Sequence, residues 1–156
     1  MGECKSTSRF SSIKDAIILI QTDTTVGFLS QNSAKLYEAK SRTQTKPFIK
    51  VFKDFNSLLN ETRVYKSAKK FIRKSKKTTF IVKDISFRVA PITKESQLLR
   101  DCSWFYSTSA NKSNEKFDRT FCEQKADIII EDIKGLVEKE SSTILKLSRL
   151  KKRRIR

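Results

Sequence analysis

The sequence predicts an α/β fold: a twisted mixed β-sheet flanked by helices, in a single domain of 156 residues. Three observations predict it. Apolar runs of strand length alternate along the chain with segments of helical spacing. The runs at 78–82 and 85–89 are joined by Lys83 and Asp84 alone, and so short a connection allows only an antiparallel pair. The apolar share is a low 37%, but eleven Phe residues each bring a large buried area to a core.

Each element follows in order. Residues 16–20 are a continuous, Ile-rich apolar run, a buried-strand signal that ends at the polar cluster 21–25. A short helix follows at 32–40, with Asn32 placed to cap it. Residues 48–52 read as a strand after Pro47, and 54–60 as one or two helical turns. The clearest amphipathic helix spans 62–75, where Val64, Tyr65, Ala68, Phe71 and Ile72 recur at helical spacing against Lys66, Lys69, Lys70, Arg73 and Lys74. After the strand pair come a helix at 93–101, a strand at 103–106, a helix at 114–125 and a strand at 127–131. Residues 142–147 alternate like a strand, and the core spans 13–148 before a basic tail at 149–156.

Composition excludes several chemistries. There is no His, so neither a Ser-His-Asp nor a Cys-His arrangement exists, and no histidine-ligated metal. Cys4, Cys102 and Cys122 are odd in number and far apart, which argues for reduced thiols and a cytoplasmic location over a disulfide framework. Only three Gly residues are present, too few for a Walker loop or a dinucleotide fingerprint. The longest apolar run is too short to span a bilayer, and no membrane partner is expected. The net charge of +17 instead draws polyanions: nucleotides or nucleic acid.

Three polar clusters stand beside apolar strands, where loops carry function. Thr22-Asp23-Thr24-Thr25 offers hydroxyls to a small polar ligand, or is an ordinary turn stabilised by its own side chains. Lys40-Ser41-Arg42, with Lys46-Pro47 following, is a clamp for a triphosphate, or a set of cations favoured by a helix C-terminus. Ser107-Thr108-Ser109-Ala110-Asn111 presents small donors without bulk, or caps the next helix.

Taken in order, TDTTVG, KSR with KP, SFRV, STSAN and SST with a late Arg156 make the chain resemble the YrdC-like family from about residue 13 to the C-terminus. The resemblance implies a mixed sheet with a concave basic face. It implies the activity of a threonylcarbamoyl-AMP synthase, which joins L-threonine, bicarbonate and ATP, with Mg²⁺ carried on the ATP, for threonylcarbamoyladenosine formation in tRNA. Position by position, Lys40, Arg42, Lys46, Ser107, Ser109, Asn111 and Arg156 would bind ATP, and Thr22, Arg88 and Ser142 would bind threonine. No protein side chain is implied as a metal ligand. Implied partners are tRNA or other RNA and further tRNA-modification proteins. The sequence departs from the family pattern in having Gln21 for a proline, Phe28 and Leu29 after Gly27, and a nearly Gly-free segment at 134–141.

Two basic runs remain, with eight cations in 63–77 and seven in 146–156. They form a surface facing RNA, or a solvated helix face and a frayed tail. The lost glycines and the excess charge favour a second reading of the whole chain, a non-catalytic YrdC-like RNA-binding protein; the retained Lys40, Arg42, Arg88 and Ser109 favour the enzyme.

Overall fold

The run at 16–20 is apolar at every position because both faces of its strand are covered. In the computed structural model, which describes residues 13–89 and 102–156, β1 (Ile18–Gln21) sends Leu19 into a core with Val26, Phe28 and Leu36. Ile18 and Ile20 pack on the opposite face with Leu29, Cys102 and Phe105. Strands buried on both sides read as unbroken apolar runs.

β2 (Val26–Ser30) returns antiparallel to β1, with Ile18 opposite Leu29 and Gln21 opposite Val26. The sequence reading contains no strand here. Two apolar runs around the four-residue turn 22–25 are nevertheless a hairpin pattern, and tertiary burial of all five β2 residues completes it. α1 (Ser33–Ala39) begins as expected at Asn32, whose side chain accepts from the Lys35 N–H at 3.2 Å. β3 (Ile49–Phe52) and α2 (Phe55–Glu61) also match their sequence signals, and Asp54 caps α2 through the Ser57 N–H at 2.7 Å.

The amphipathic segment 62–75 is helical only in its second part. Thr62 ends α2 in an extended conformation (φ −138°, ψ 129°), and a 3₁₀ turn at Lys66–Ala68 leads into α3 (Lys69–Lys74). β-branched Thr62 and Val64 disfavour another helical turn. Val64, Ala68 and Ile72 still share the buried face.

β4 (Thr78–Val82) and β5 (Ile85–Val89) form the expected antiparallel hairpin, with Lys83 at φ 54° in its two-residue turn. The helix expected at 93–101 lies outside the described residues. β6 (Trp104–Ser109) runs on past Tyr106 through the polar 107–109, because those residues pair with β2. α4 (Arg119–Lys125) starts five residues later than its sequence signal. Asn114 adopts φ 68°, which no helix contains, and Asp118 is the cap, accepting from the Phe121 N–H at 3.1 Å. β7 (Ile128–Ile130) and β8 (Thr143–Leu147) fall within their predicted runs.

A frayed tail is not what the structure shows at 149–156. Ser148 closes a tight turn on Lys151, and β9 (Lys152–Arg154) pairs antiparallel with β8. No apolar alternation marks β9, so its pairing comes from β8 and from the Lys152 ammonium 3.8 Å from the centre of the Phe71 ring.

The nine strands form one sheet in the order β7-β1-β2-β6-β3-β5-β4-β8-β9. Pairs β1·β7, β3·β5 and β4·β8 are parallel and the other five antiparallel. Among the described residues, four α-helices flank this mixed sheet. α2 and α3 cover a core of Phe52, Leu58, Ile72, Phe80 and Phe87, while α1 and α4 cover Leu19, Phe28 and Phe48. No described helix is long and apolar enough to cross a membrane.

Candidate functional site

The strand ends on one side of this sheet converge on a cleft of about 290 Å³. It is lined by Thr22, Thr24 and Thr25 from the β1–β2 turn, Gly27 from β2, and Ser107, Thr108 and Ser109 from β6. Arg42, Phe48, Arg88, Ser141, Ser142 and Arg156 complete much of the wall. A cleft of this size with few convergent polar groups suits a small polar ligand.

The β1–β2 turn is built by its own hydroxyls. Thr22 Oγ1 donates to the Thr25 carbonyl at 2.7 Å and accepts from the Thr24 N–H at 3.2 Å. Gly27 lets this turn lie against β6, since a Cβ there would sit 3.0 Å from the Thr108 carbonyl oxygen and 3.2 Å from Thr22 Cγ2. The turn delivers Thr24 and Asp23 to Arg88 on β5. Arg88 Nη1 donates to Thr24 Oγ1 at 2.9 Å, and its Nη2 lies 3.3 Å from Asp23 Oδ1.

Arg88 is only 5% exposed, yet its Nε has no hydrogen-bond partner, and neither has Asp23 Oδ1. The Asp23 contact is close enough for attraction but lies outside hydrogen-bond geometry. Burial lowers the Arg88 pKa, and the Asp23 charge opposes that shift. A guanidinium stays protonated in proteins, so the cleft wall holds a fixed positive charge with donor capacity to spare.

On the other side, the end of α1 separates two cations. Ser41 takes φ 49°, and the Arg42 and Ser41 N–H groups donate to the Tyr37 and Glu38 carbonyls in a Schellman turn. The turn leaves Arg42 in the cleft wall, with its guanidinium over the Phe48 ring at 5.5 Å and its buried Nε without a partner. Lys40 points elsewhere and is 3% exposed. Its ammonium donates to the Ser109 carbonyl at 2.8 Å, the Asn111 carbonyl at 2.9 Å and Asn111 Oδ1 at 2.7 Å. Burial, helped by the charge of Arg42, lowers its pKa to about 8.

Of the residues singled out in sequence, Thr22, Arg42, Arg88, Ser107, Ser109, Ser142 and Arg156 line the one cleft. Lys40, Lys46 and Asn111 are not in its lining. Lys40 and Asn111 sit behind Ser109, and the Lys46 carbonyl accepts from the Tyr37 hydroxyl at 3.0 Å. Ser142 is buried against Thr79, with hydroxyl oxygens 2.7 Å apart, and its carbonyl faces the Arg156 guanidinium at 3.3 Å. The sequence reading offered the hydroxyls of the whole 22–25 cluster to a ligand but carried only Thr22 into the threonine site, whereas Thr24 and Thr25 also line the cleft. It also missed the strap between β7 and β8. There Gln21 Oε1 accepts from the Val137 N–H at 2.8 Å, and Thr25 Oγ1 from the Lys139 N–H at 3.1 Å. Contacts across more than a hundred residues leave no local signal. Among the described residues, the lining contains no acidic side chain.

No curated protein sequence matches the chain. Its fold is similar to E. coli YciO, at TM-score 0.72 and 17% identity, over 92% of this chain and 83% of that one. It is similar to MTH1692 from Methanobacterium thermoautotrophicum, at TM-score 0.66 and 18% identity, over 90% and 79%. P. abyssi Sua5 complexed with L-threonine shares the fold at TM-score 0.69 and 17% identity, and here 90% of this chain spans only 50% of the other. The family model for Sua5, YciO and YrdC, described as "Telomere recombination", matches residues 13–156. By that match over nearly its whole length, the chain belongs to the Sua5/YciO/YrdC family.

Proposed function

We propose that this cleft binds L-threonine and ATP and forms threonylcarbamoyl-AMP, with bicarbonate as the carbon source and pyrophosphate as the leaving group. The observation that carries the reading is Arg88: a buried guanidinium on the cleft wall, under-paired by the protein, beside the Thr22 and Thr24 hydroxyls. A carboxylate is the natural occupant, because it accepts paired N–H groups from one guanidinium. The structural neighbour Sua5 is itself a complex with L-threonine, which supports the choice of amino acid.

In this reading the threonine amine and bicarbonate give a carbamate and water, and a carbamate oxygen then attacks the α-phosphate of ATP. Pyrophosphate leaves with the bonding pair. The chain's part is to place both substrates and to receive the charge that moves to the leaving group. Arg42 and Arg156 would face the phosphates, with Lys46 near the rim and Ser107 and Ser109 donating from β6. Lys40 would hold Ser109 and Asn111 in place from behind. Magnesium would arrive on the ATP phosphates, as is common for this ion. The product would serve tRNA modification in the cytoplasm.

The test is pyrophosphate release from ATP with magnesium and bicarbonate, with and without threonine. Threonine-dependent release is expected. Release indifferent to threonine, or none with purified folded protein, would contradict the synthase.

A further inference from the structure

We propose that Thr25 is a specificity-determining residue, donating its hydroxyl proton to the side-chain hydroxyl of the bound amino acid; the inference rests on the synthase reading. Three threonines of one turn line the cleft, and their hydrogen bonds give them different parts. Thr22 Oγ1 spends its proton on the Thr25 carbonyl at 2.7 Å. In the 3.2 Å contact between Thr22 Oγ1 and Thr24 Oγ1, the donor is therefore Thr24. Thr24 Oγ1 in turn accepts from Arg88 Nη1 at 2.9 Å. The protons thus run one way, from Arg88 through Thr24 and Thr22 to the Thr25 carbonyl. Neither Thr22 nor Thr24 has a proton left for a ligand.

Thr25 is arranged the other way. Its Oγ1 accepts from the Lys139 N–H at 3.1 Å, and among the described residues no acceptor takes its proton. The strap that supplies this N–H is fixed independently of Thr25. Leu136 is buried in the core, Gln21 Oε1 holds the Val137 N–H, and Glu131 accepts two bonds from Arg119 at 2.9 and 2.7 Å. One lone pair of Thr25 Oγ1 is committed to the strap, which leaves its O–H as a placed donor on the cleft wall. Thr25 follows Thr24 along the wall that holds Arg88. An amino acid with its carboxylate on Arg88 has its side chain still to be recognised there. L-threonine carries a hydroxyl oxygen that accepts, whereas valine, of the same shape, carries a methyl group that cannot. A placed donor facing that methyl loses its water and gains no partner, which is how a hydrogen-bonding site rejects an isostere. A phosphate is a weaker match for Thr25, since Arg42 and Arg156 supply the charge it needs from elsewhere in the lining.

The test is calorimetric titration of L-threonine and of L-valine into the full chain, with ATP and magnesium present. Wild type should prefer threonine about tenfold or more. Thr25→Val keeps the branched shape and removes the hydroxyl, and should reduce that preference about tenfold by weakening threonine and not valine. Thr25→Ser restores the donor and should keep most of the preference. Thr25→Ala reads the same contrast if the valine variant does not fold. Gln21 lies outside the lining, so Gln21→Ala cuts the strap's other tether and should leave the preference unchanged. An unchanged threonine-to-valine ratio in Thr25→Val, whether both ligands hold or both weaken, would overturn the role of Thr25 and leave the synthase reading standing. Wild type that binds neither amino acid would contradict the synthase reading itself, and this inference with it.

Discussion

Lys40 and Arg88 are both cations withdrawn from water, at 3% and 5% exposure, and only Arg88 lines the cleft. Lys40 lies behind the wall and is matched donor for acceptor by Ser109 and Asn111. Arg88 lies in the wall and keeps an unpaired Nε beside a loosely placed Asp23. Burial alone does not mark a binding group, because a fully satisfied buried charge serves the fold. An under-satisfied one, held rigid and facing a cleft, is poised for a ligand that supplies what the protein withholds.

The strongest way to break this comparison is Arg88→Ala, which should reduce threonine-dependent pyrophosphate release about a hundredfold or more. That change also strands Asp23, so Arg88→Lys is the cleaner probe. It keeps the charge, loses the planar fork, and should lower threonine affinity about tenfold or more while the protein stays folded. Activity unchanged in Arg88→Lys would remove Arg88 from the binding site.

Lys40→Met should act on stability. It removes three hydrogen bonds, although the Ser109 carbonyl keeps the Asn111 N–H and Asn111 Oδ1 keeps the Ser109 hydroxyl, and should cost about 1–3 kcal/mol in denaturant unfolding. Its pH dependence sharpens the assignment. The folded pKa is lowered to about 8 from 10.5, so between those values the unfolded chain holds a proton that the folded chain has released. Stability of the wild type should therefore rise relative to Lys40→Met across that window, by about 3 kcal/mol in all. Parallel unfolding curves from pH 7.5 to 10.5 would contradict the buried placement of the ammonium.

Much of this contrast was legible in sequence, and the part that was not has a physical reason. The continuous run at 16–20, the Asn32 cap and the hairpin at 78–89 are local signals, and each appears where its residues put it. Arg42 and Arg88 were singled out by motif, and both line the cleft. The division of labour between Lys40 and Arg42 was not legible. It depends on the left-handed Ser41 turn and on a partner loop some seventy residues away. β9 was missed because Lys-Arg-Arg has no strand pattern, and only its neighbour β8 recruits it. The helical start at 62 failed because Thr62 ends the preceding helix in extended geometry.

Two smaller effects refine the account. Gly27→Ala would press a methyl group onto the Thr108 carbonyl and should cost about 1–2 kcal/mol in thermal or denaturant unfolding. Ser41→Gly should do the reverse. A residue other than glycine at φ 49° carries a left-handed penalty, so glycine should stabilise the protein by about 1 kcal/mol and leave turnover intact.

The most direct test is calorimetric titration of threonine into wild type, Arg88→Lys and Lys40→Met, each with ATP and magnesium present, alongside their melting curves. The account predicts that Arg88→Lys loses threonine affinity at near-unchanged melting temperature, while Lys40→Met melts earlier and binds threonine within about threefold of wild type. Threonine binding that survives in Arg88→Lys and disappears in a folded Lys40→Met would contradict it.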